Sequence, residues 1–324
     1  MNRRTFLLST TAAAAARAAI RPPAPVVYPV PPLARKNDAR HTIDFAQNEK
    51  ILRYLIAGGI PDVIYGGNAF LYDITMTEYR DLLEWAGGFA SQANIIPAIG
   101  PSYGRAMDQA PLIRRYKFRT VLALPNGNPR DAAGLEAGYR EISQACGLPL
   151  SLYVKTEASW GDDRDAGLDA IGRLVRDGVC QSIKYAVVRK DPSQDQYLTA
   201  LLKRVDPKYV VSGIGERPAI VHLRDFKLNG FTTGSGVLAP KQSRALLEAC
   251  NRGDYATAER LRQLFIPLED LRDAWGPPRV LHATVALSGL AQTGNPPPFV
   301  SGLNDSQLRQ LAPVAKALYQ ADHP

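Results

Sequence analysis

Short apolar runs alternate with amphipathic stretches through most of this 324-residue chain, and that rhythm limits the fold more than any other feature. Strand-like segments occur at 26–30, 62–65, 95–99, 120–124, 150–154, 182–186, 209–212 and 230–233. Between them, helical periodicity runs from 42 to Gly58-Gly59, after an N-cap at Thr77, and over 107–116, 132–145, 165–177, 196–205 and 219–228. Strands of about five residues in units of roughly 25–35 are the pattern of βα repeats. Eight such units closed on themselves give an α/β fold of the (β/α)8 TIM-barrel type. The main competitor is a doubly wound open sheet. No GxGxxG or GxxxxGK[ST] follows the first strand, which weakens its nucleotide-binding versions. After Pro240 the strands stop, and 243–275, 278–290 and 304–320 read as helices, with Asn295-Pro296-Pro297-Pro298 between the last two. The barrel is therefore expected over 42–240, with a helical extension over 241–324 packed on the barrel or on a partner subunit.

The N-terminus reads differently. Met1-Asn2-Arg3-Arg4-Thr5-Phe6-Leu7-Leu8-Ser9 leads into an alanine-rich run and the small-x-small triplet Ala16-Arg17-Ala18. This resembles a twin-arginine export signal over 1–18, with a frayed amphipathic helix or an uncleaved anchor as the alternatives. Export would place the mature chain in the periplasm or outside the cell, with no stable membrane insertion after cleavage. A proline-rich lead-in over 19–41 carries the first strand.

The formal charge of +8 raises the question of nucleic acid. Cleavage after Ala18 would remove three arginines and leave 36 basic against 31 acidic residues, a charge of +5. The basic run Arg114, Arg115, Lys117 and Arg119 precedes the fourth strand, on the face of a barrel opposite its catalytic mouth. No aromatic platform accompanies it, so no nucleic-acid partner is expected. Cys146, Cys180 and Cys250 lie in apolar or helical surroundings and read as buried free thiols. His41, His222, His282 and His323 share no motif, and Glu157, Asp162 and Asp163 lack regular ligand spacing, so no metal site is expected.

In barrels of this type the reacting groups stand at the C-terminal ends of the strands. Lys184 is the only charge in the middle of its strand-like stretch, Ser182-Ile183-Lys184-Tyr185-Ala186. A lysine turned into a barrel is desolvated, which lowers its pKa and frees the neutral amine. Such an amine adds to a ketone to form a Schiff base, whose protonated form draws electrons from a neighbouring carbon–carbon bond. The alternative is a lysine at an exposed strand end, or one paired with a carboxylate. Lys155, after the fifth strand, reads equally well as a second cation that depresses Lys184 or as an exposed loop lysine.

Several segments, in order, resemble the dihydrodipicolinate synthase / N-acetylneuraminate lyase family of class I aldolases. Gly66-Gly67-Asn68-Ala69-Phe70 is similar to the family's segment after strand two. Leu148-Pro149-Leu150-Ser151-Leu152-Tyr153 is similar to its L-P-x-x-x-Y, and Ser182-Ile183-Lys184-Tyr185-Ala186 to its Schiff-base strand. Gly230-Phe231-Thr232-Thr233-Gly234 and Gly253-Asp254-Tyr255-Ala256-Thr257-Ala258 match its eighth strand and following helix. The resemblance spans roughly 25–300. It implies catalytic roles for Lys184 and Tyr153, with Gly67 and Asn68 holding a carboxylate and Asn126 and Thr232 shaping the pocket. It implies a small-molecule keto acid substrate and a homo-oligomer, a tetramer. No metal or organic cofactor is needed, because the lysine supplies the electron sink.

Three departures stand out. The family's threonine pair after strand two is replaced by Gly67 and Asn68. Its Pro-Tyr-Tyr after strand four becomes Pro125-Asn126-Gly127-Asn128, so its relay tyrosine is lost or replaced by Tyr153, Tyr103 or Tyr185. Its Y-N-x-P becomes Tyr153-Val154-Lys155-Thr156, leaving the synthase's arginine for a second substrate unmatched. The expectation is a Schiff-base lyase for aldol cleavage, addition or dehydration of a 2-keto acid or sugar-derived keto acid, and not a true dihydrodipicolinate synthase. The alternatives are a degenerate member that binds a small carbohydrate acid without turnover, and a barrel hydrolase. The hydrolase requires paired carboxylates at strand ends, and none is convincingly placed.

Overall fold

A computed structural model describes residues 22–127 and 130–323; the expected signal over 1–18 lies outside the described residues. Val26–Pro29 (β1) precedes Phe45–Ala57 (α1), Asp62–Tyr65 (β2) precedes Met76–Gly87 (α2), and Asn94–Ile99 (β3) precedes Tyr103–Ile113 (α3). Val121–Ala123 (β4) leads to Ala132–Cys146 (α4), and Leu150–Val154 (β5) to Arg164–Arg176 (α5). Cys180–Tyr185 (β6) leads to Gln196–Leu202 (α6), Val210–Ser212 (β7) to Ala219–Arg224 (α7), and Gly230–Thr233 (β8) to Pro240–Asn251 (α8). Tyr255–Gln263 (α9), Ile266–Trp275 (α10), Pro277–Ser288 (α11) and Asp305–Ala321 (α12) complete the described chain.

The eight strands run parallel in the order β1-β8-β7-β6-β5-β4-β3-β2. β1 and β2, at the two ends of that order, lie against each other and bring the sheet round into a barrel. This is the expected (β/α)8 fold with helices added at its C-terminal end. The strands are buried along nearly their whole length, because their outer faces meet the helix ring and their inner faces fill the barrel. That double burial explains why they read as continuous apolar runs. Cys146, Cys180 and Cys250 are buried and unbridged, as expected. Among the described residues no helix is long and apolar enough to cross a membrane.

Three boundaries differ from the sequence expectations. The N-cap of α2 is Thr75, not Thr77: its hydroxyl accepts from the Glu78 amide, and Glu78 reaches back to close a capping box. The stretch 243–275 is three helices. Gly253 takes a left-handed φ of 74°, Asp254 caps α9, and Pro267 sits in the first turn of α10. Finally, α8 is the helix of the eighth βα unit, so the added helices begin at α9 and not at 241.

The last helix is fastened to the barrel by one buried carboxylate. Ala239, the N-cap of α8, has no side-chain oxygen to offer. Asp322 replaces it from the far end of the chain, accepting from the Lys241 amide at 2.9 Å and the Gln242 amide at 3.3 Å. Its second oxygen accepts from Tyr54 Oη on α1 at 2.9 Å. Asp322→Ala is expected to cost about 1 kcal/mol, because it leaves the α8 N-terminus without its cap, while Tyr54 Oη keeps the Leu238 carbonyl as acceptor at 2.8 Å. Urea unfolding of the purified variant checks this, and an unchanged midpoint would show that α12 is not held this way.

Candidate active site

Lys184 stands on β6 beside Tyr153 on β5, its register partner. Both face a cavity of about 360 Å³ at the C-terminal ends of the strands. The Lys184 side chain is only 7% exposed, and its Nζ lies 4.6 Å from the centroid of the Tyr153 ring. Burial pushes its pKa down to about 8, helped by the positive charges of Arg272 and Lys155. Burial pushes the Tyr153 phenol up to about 12, so it keeps its proton at neutral pH. A strand alternates its faces, so Tyr185 turns the opposite way and donates to Asp195 Oδ2 at 2.6 Å.

Two glycines after β7 make room for this arrangement. A Cβ on Gly213 would come within 2.9 Å of the Lys184 stem and 2.7 Å of the Tyr185 carbonyl. One on Gly215, at φ 98°, would come within 2.2 Å of Glu269 Oε1 and 2.7 Å of Arg272 Nη1. Arg272 reaches the cavity from α10. Its Nη1 donates to Glu269 Oε1 at 3.1 Å and its Nη2 to the Ile214 carbonyl at 2.7 Å. Glu269 also accepts from the backbone amides of Glu216 at 3.0 Å and Arg217 at 2.7 Å. An ion pair thus ties α10 to the loop after β7.

Behind it lies Glu216, fully buried, accepting from Ser243 Oγ at 2.7 Å. Burial and the nearby Glu269 charge push the Glu216 carboxyl up to about 8, and the hydroxyls of Thr233 and Ser243 offset this only in part. Glu216, Glu269 and Arg272 went unnoticed in the sequence. The usable signal was that Glu269 and Arg272 occupy the same helical stripe as Phe265 and Leu268, where charges are not expected.

The sequence matches that of a known family. The model of the Dihydrodipicolinate synthetase family matches residues 30–318. The chain belongs to that family. Family members are lyases of the class I aldolase type, and this chain is an enzyme of that class. The fold agrees with dihydrodipicolinate synthase from Oceanobacillus iheyensis at TM-score 0.78 and 21% identity, over 91% of this chain and 96% of that one. The N-acetylneuraminate lyase of Proteus mirabilis gives TM-score 0.75 and 16% identity, over 92% and 98% of the two chains. No curated protein sequence matches.

Four of the six residues singled out from the sequence line the cavity: Lys184, Tyr153, Asn68 and Thr232. Asn68 Nδ2 donates to the Val30 carbonyl at 2.9 Å, so the amide braces the end of β1 as well as facing the cavity. Gly67 is not among the lining residues. It opens the one-turn helix Gly67–Ala69, where the first amides have no partner within the turn. Asn126 is not brought to Lys184. It lines a separate cleft of about 530 Å³ with Tyr103 and Arg130, because the chain after β4 turns outward over α4. Tyr103 bonds Glu141 there and is 48% exposed, so neither Tyr103 nor Tyr185 stands beside Tyr153.

The buried Glu216 predicts a distinct pH dependence of stability. Its folded pKa of about 8 exceeds the ordinary 4.5, so folded protein holds a proton that unfolded protein has released. Stability contributed here is complete below about pH 4.5, falls as pH rises, and levels off above about 8. Glu216→Gln keeps the shape and removes the titration. Urea midpoints of the parent, relative to the variant, should fall between pH 5 and 8; parallel profiles would show that Glu216 is ionised in the fold.

Proposed function

We propose that this protein is a Schiff-base lyase for a 2-keto acid or sugar-derived keto acid, catalysing aldol cleavage or addition, or dehydration. One observation carries the reading: a nearly buried amine, Lys184, held against Tyr153 at the mouth of a barrel, with its charged form disfavoured by burial and by two cations. The neutral amine adds to the C2 carbonyl, and the carbinolamine loses water to leave a protonated imine on Nζ. That iminium accepts the electron pair released when the bond between C3 and C4 of the keto acid breaks. Tyr153, which keeps its phenolic proton at neutral pH, would give that proton to the hydroxyl lost as water from the carbinolamine; in cleavage the resulting phenolate takes the proton of the 4-hydroxyl, whose carbon leaves as an aldehyde. Asn68, in the turn Gly67–Ala69, faces the cavity and suits the substrate carboxylate, and Thr232 offers a hydroxyl from β8.

The reaction differs from that of dihydrodipicolinate synthase. Lys155 and Thr156 stand where the synthase pattern continues, and the arginine it uses for a second substrate has no counterpart. Export by the N-terminal signal and assembly into a homo-oligomer complete the proposal. A second reading, a binder of carbohydrate acids without turnover, draws support from Tyr103 and Tyr185 being committed elsewhere.

Borohydride trapping tests the lyase. The protein is incubated with pyruvate and other 2-keto acids, reduced, digested and mapped by mass. A secondary-amine adduct on Lys184, absent from Lys184→Ala, is expected. Product release in unreduced samples separates the lyase from the binder, and a Lys184 without adduct across the panel would end the proposal.

A further inference from the structure

One side of the catalytic cavity is apolar wherever it is not already paired. Lys184 stands on β6, and Asn68, which suits the substrate carboxylate, follows β2. In the ring of eight strands β2 and β6 lie opposite each other. C1 and C3 leave the trigonal C2 in different directions. A carboxylate held toward β2 therefore sends C3, C4 and whatever C4 carries back toward the ends of β6 and β7. The cavity is lined there by Ala186 and Val188 after β6, by Ile214 after β7, and by Pro277, which opens α11.

The polar residues on this side have partners of their own. Arg272 donates to Glu269 at 3.1 Å and to the Ile214 carbonyl at 2.7 Å. Asp273 meets Arg272 and Arg217, each at 3.3 Å. Thr156, after β5, shares its hydroxyl with Ser159 at 3.0 Å. A chain of hydroxyls laid along this side would give up water and find few partners in return. An alkyl or aryl group gives up nothing polar and gains from leaving water.

Val188 points the same way. It is 74% exposed, more than any other large apolar side chain of the described residues except Phe299. A single exposed valine is ordinary, but this one does not stand alone. With Ile214 and Pro277 it also lines a neighbouring cavity of about 600 Å³, whose wall adds Pro192 and Ile220. The apolar strip thus begins inside the catalytic cavity and continues past its rim.

We infer that the substrate carries an alkyl or aryl group on C4 in place of a polyhydroxylated chain, and that Val188 and Ile214 are the specificity-determining residues that receive it. The 4-hydroxyl is met by Tyr153 in the proposed cleavage, so only the group beyond it falls on the apolar side. This rests on the Schiff-base reading of Lys184.

Half-saturation of the borohydride-trapped Lys184 adduct is measured for pyruvate, 2-oxo-4-phenylbutanoate and 4,5,6-trihydroxy-2-oxohexanoate, each concentration counted as the open keto form. All adducts on Lys184 are summed, so cleavage of the trihydroxy acid to pyruvate does not hide its binding. The phenyl acid should half-saturate at a concentration about tenfold lower than pyruvate, and the trihydroxy acid at one no lower than pyruvate. In Val188→Asn and in Ile214→Asn the ratio of the pyruvate value to the phenyl-acid value should fall severalfold. Val188 is exposed, so its replacement leaves the core intact. Equal half-saturation by pyruvate and the phenyl acid in the parent, or a tighter fit of the trihydroxy acid, would overturn the inference and leave the imine intact. A ratio unchanged in both variants would overturn it too, and dissociation of Val188→Asn in sedimentation velocity would then assign the strip to contact between copies of the chain. Absence of adducts with every acid would remove the Schiff-base reading and this inference together.

Discussion

The site depends on the cost of enclosing a positive charge. An ammonium moved from water into a barrel loses hydration, and the charges acting on Lys184, those of Arg272 and Lys155, are both positive. The consequence is that the Lys184 pKa falls to about 8, so that a share of the amine is neutral near neutral pH, as the proposed imine chemistry requires. Everything around it serves that enclosure. Gly213 lets the β7 backbone approach the lysine stem, and Gly215 admits the Arg272–Glu269 pair. Asp273 and Glu269 hold Arg272 near enough to act on Lys184 through its field, without giving Lys184 an acid of its own.

The helices after the barrel have a role in this. α10 contributes Arg272 and Glu269 to the rim, and α12 returns to cap α8 through Asp322. The eight βα units supply the strands and the lysine, while the added helices close one side of the mouth and set its charge. A truncated barrel would keep Lys184 and lose one of the two cations that depress it.

Much of the fold was legible because parallel strands buried on both faces are continuous apolar runs, and the turns between them are rich in glycine, proline and asparagine. Lys184 was legible because a single charge interrupts such a run. The Arg272–Glu269–Glu216 group was not, because its burial depends on α10 folding back over the end of β7, a long-range event with no local sign beyond two charges on an apolar stripe. Asn126 was misplaced for a related reason: a strand end marks a position on the ring, and the direction taken by the following loop decides whether its side chains face inward. Asn68 lines the cavity, and its amide also donates to the Val30 carbonyl.

The central claim is that Lys184 loses its proton near neutral pH before any substrate binds. Carbon-13 NMR of protein labelled at lysine Cε reads this directly, with the Lys184 resonance assigned by its absence from Lys184→Arg. That resonance should titrate around pH 8, well below the ordinary 10.5, while exposed lysines titrate normally. A Lys184 signal that titrates with the exposed lysines would contradict the account.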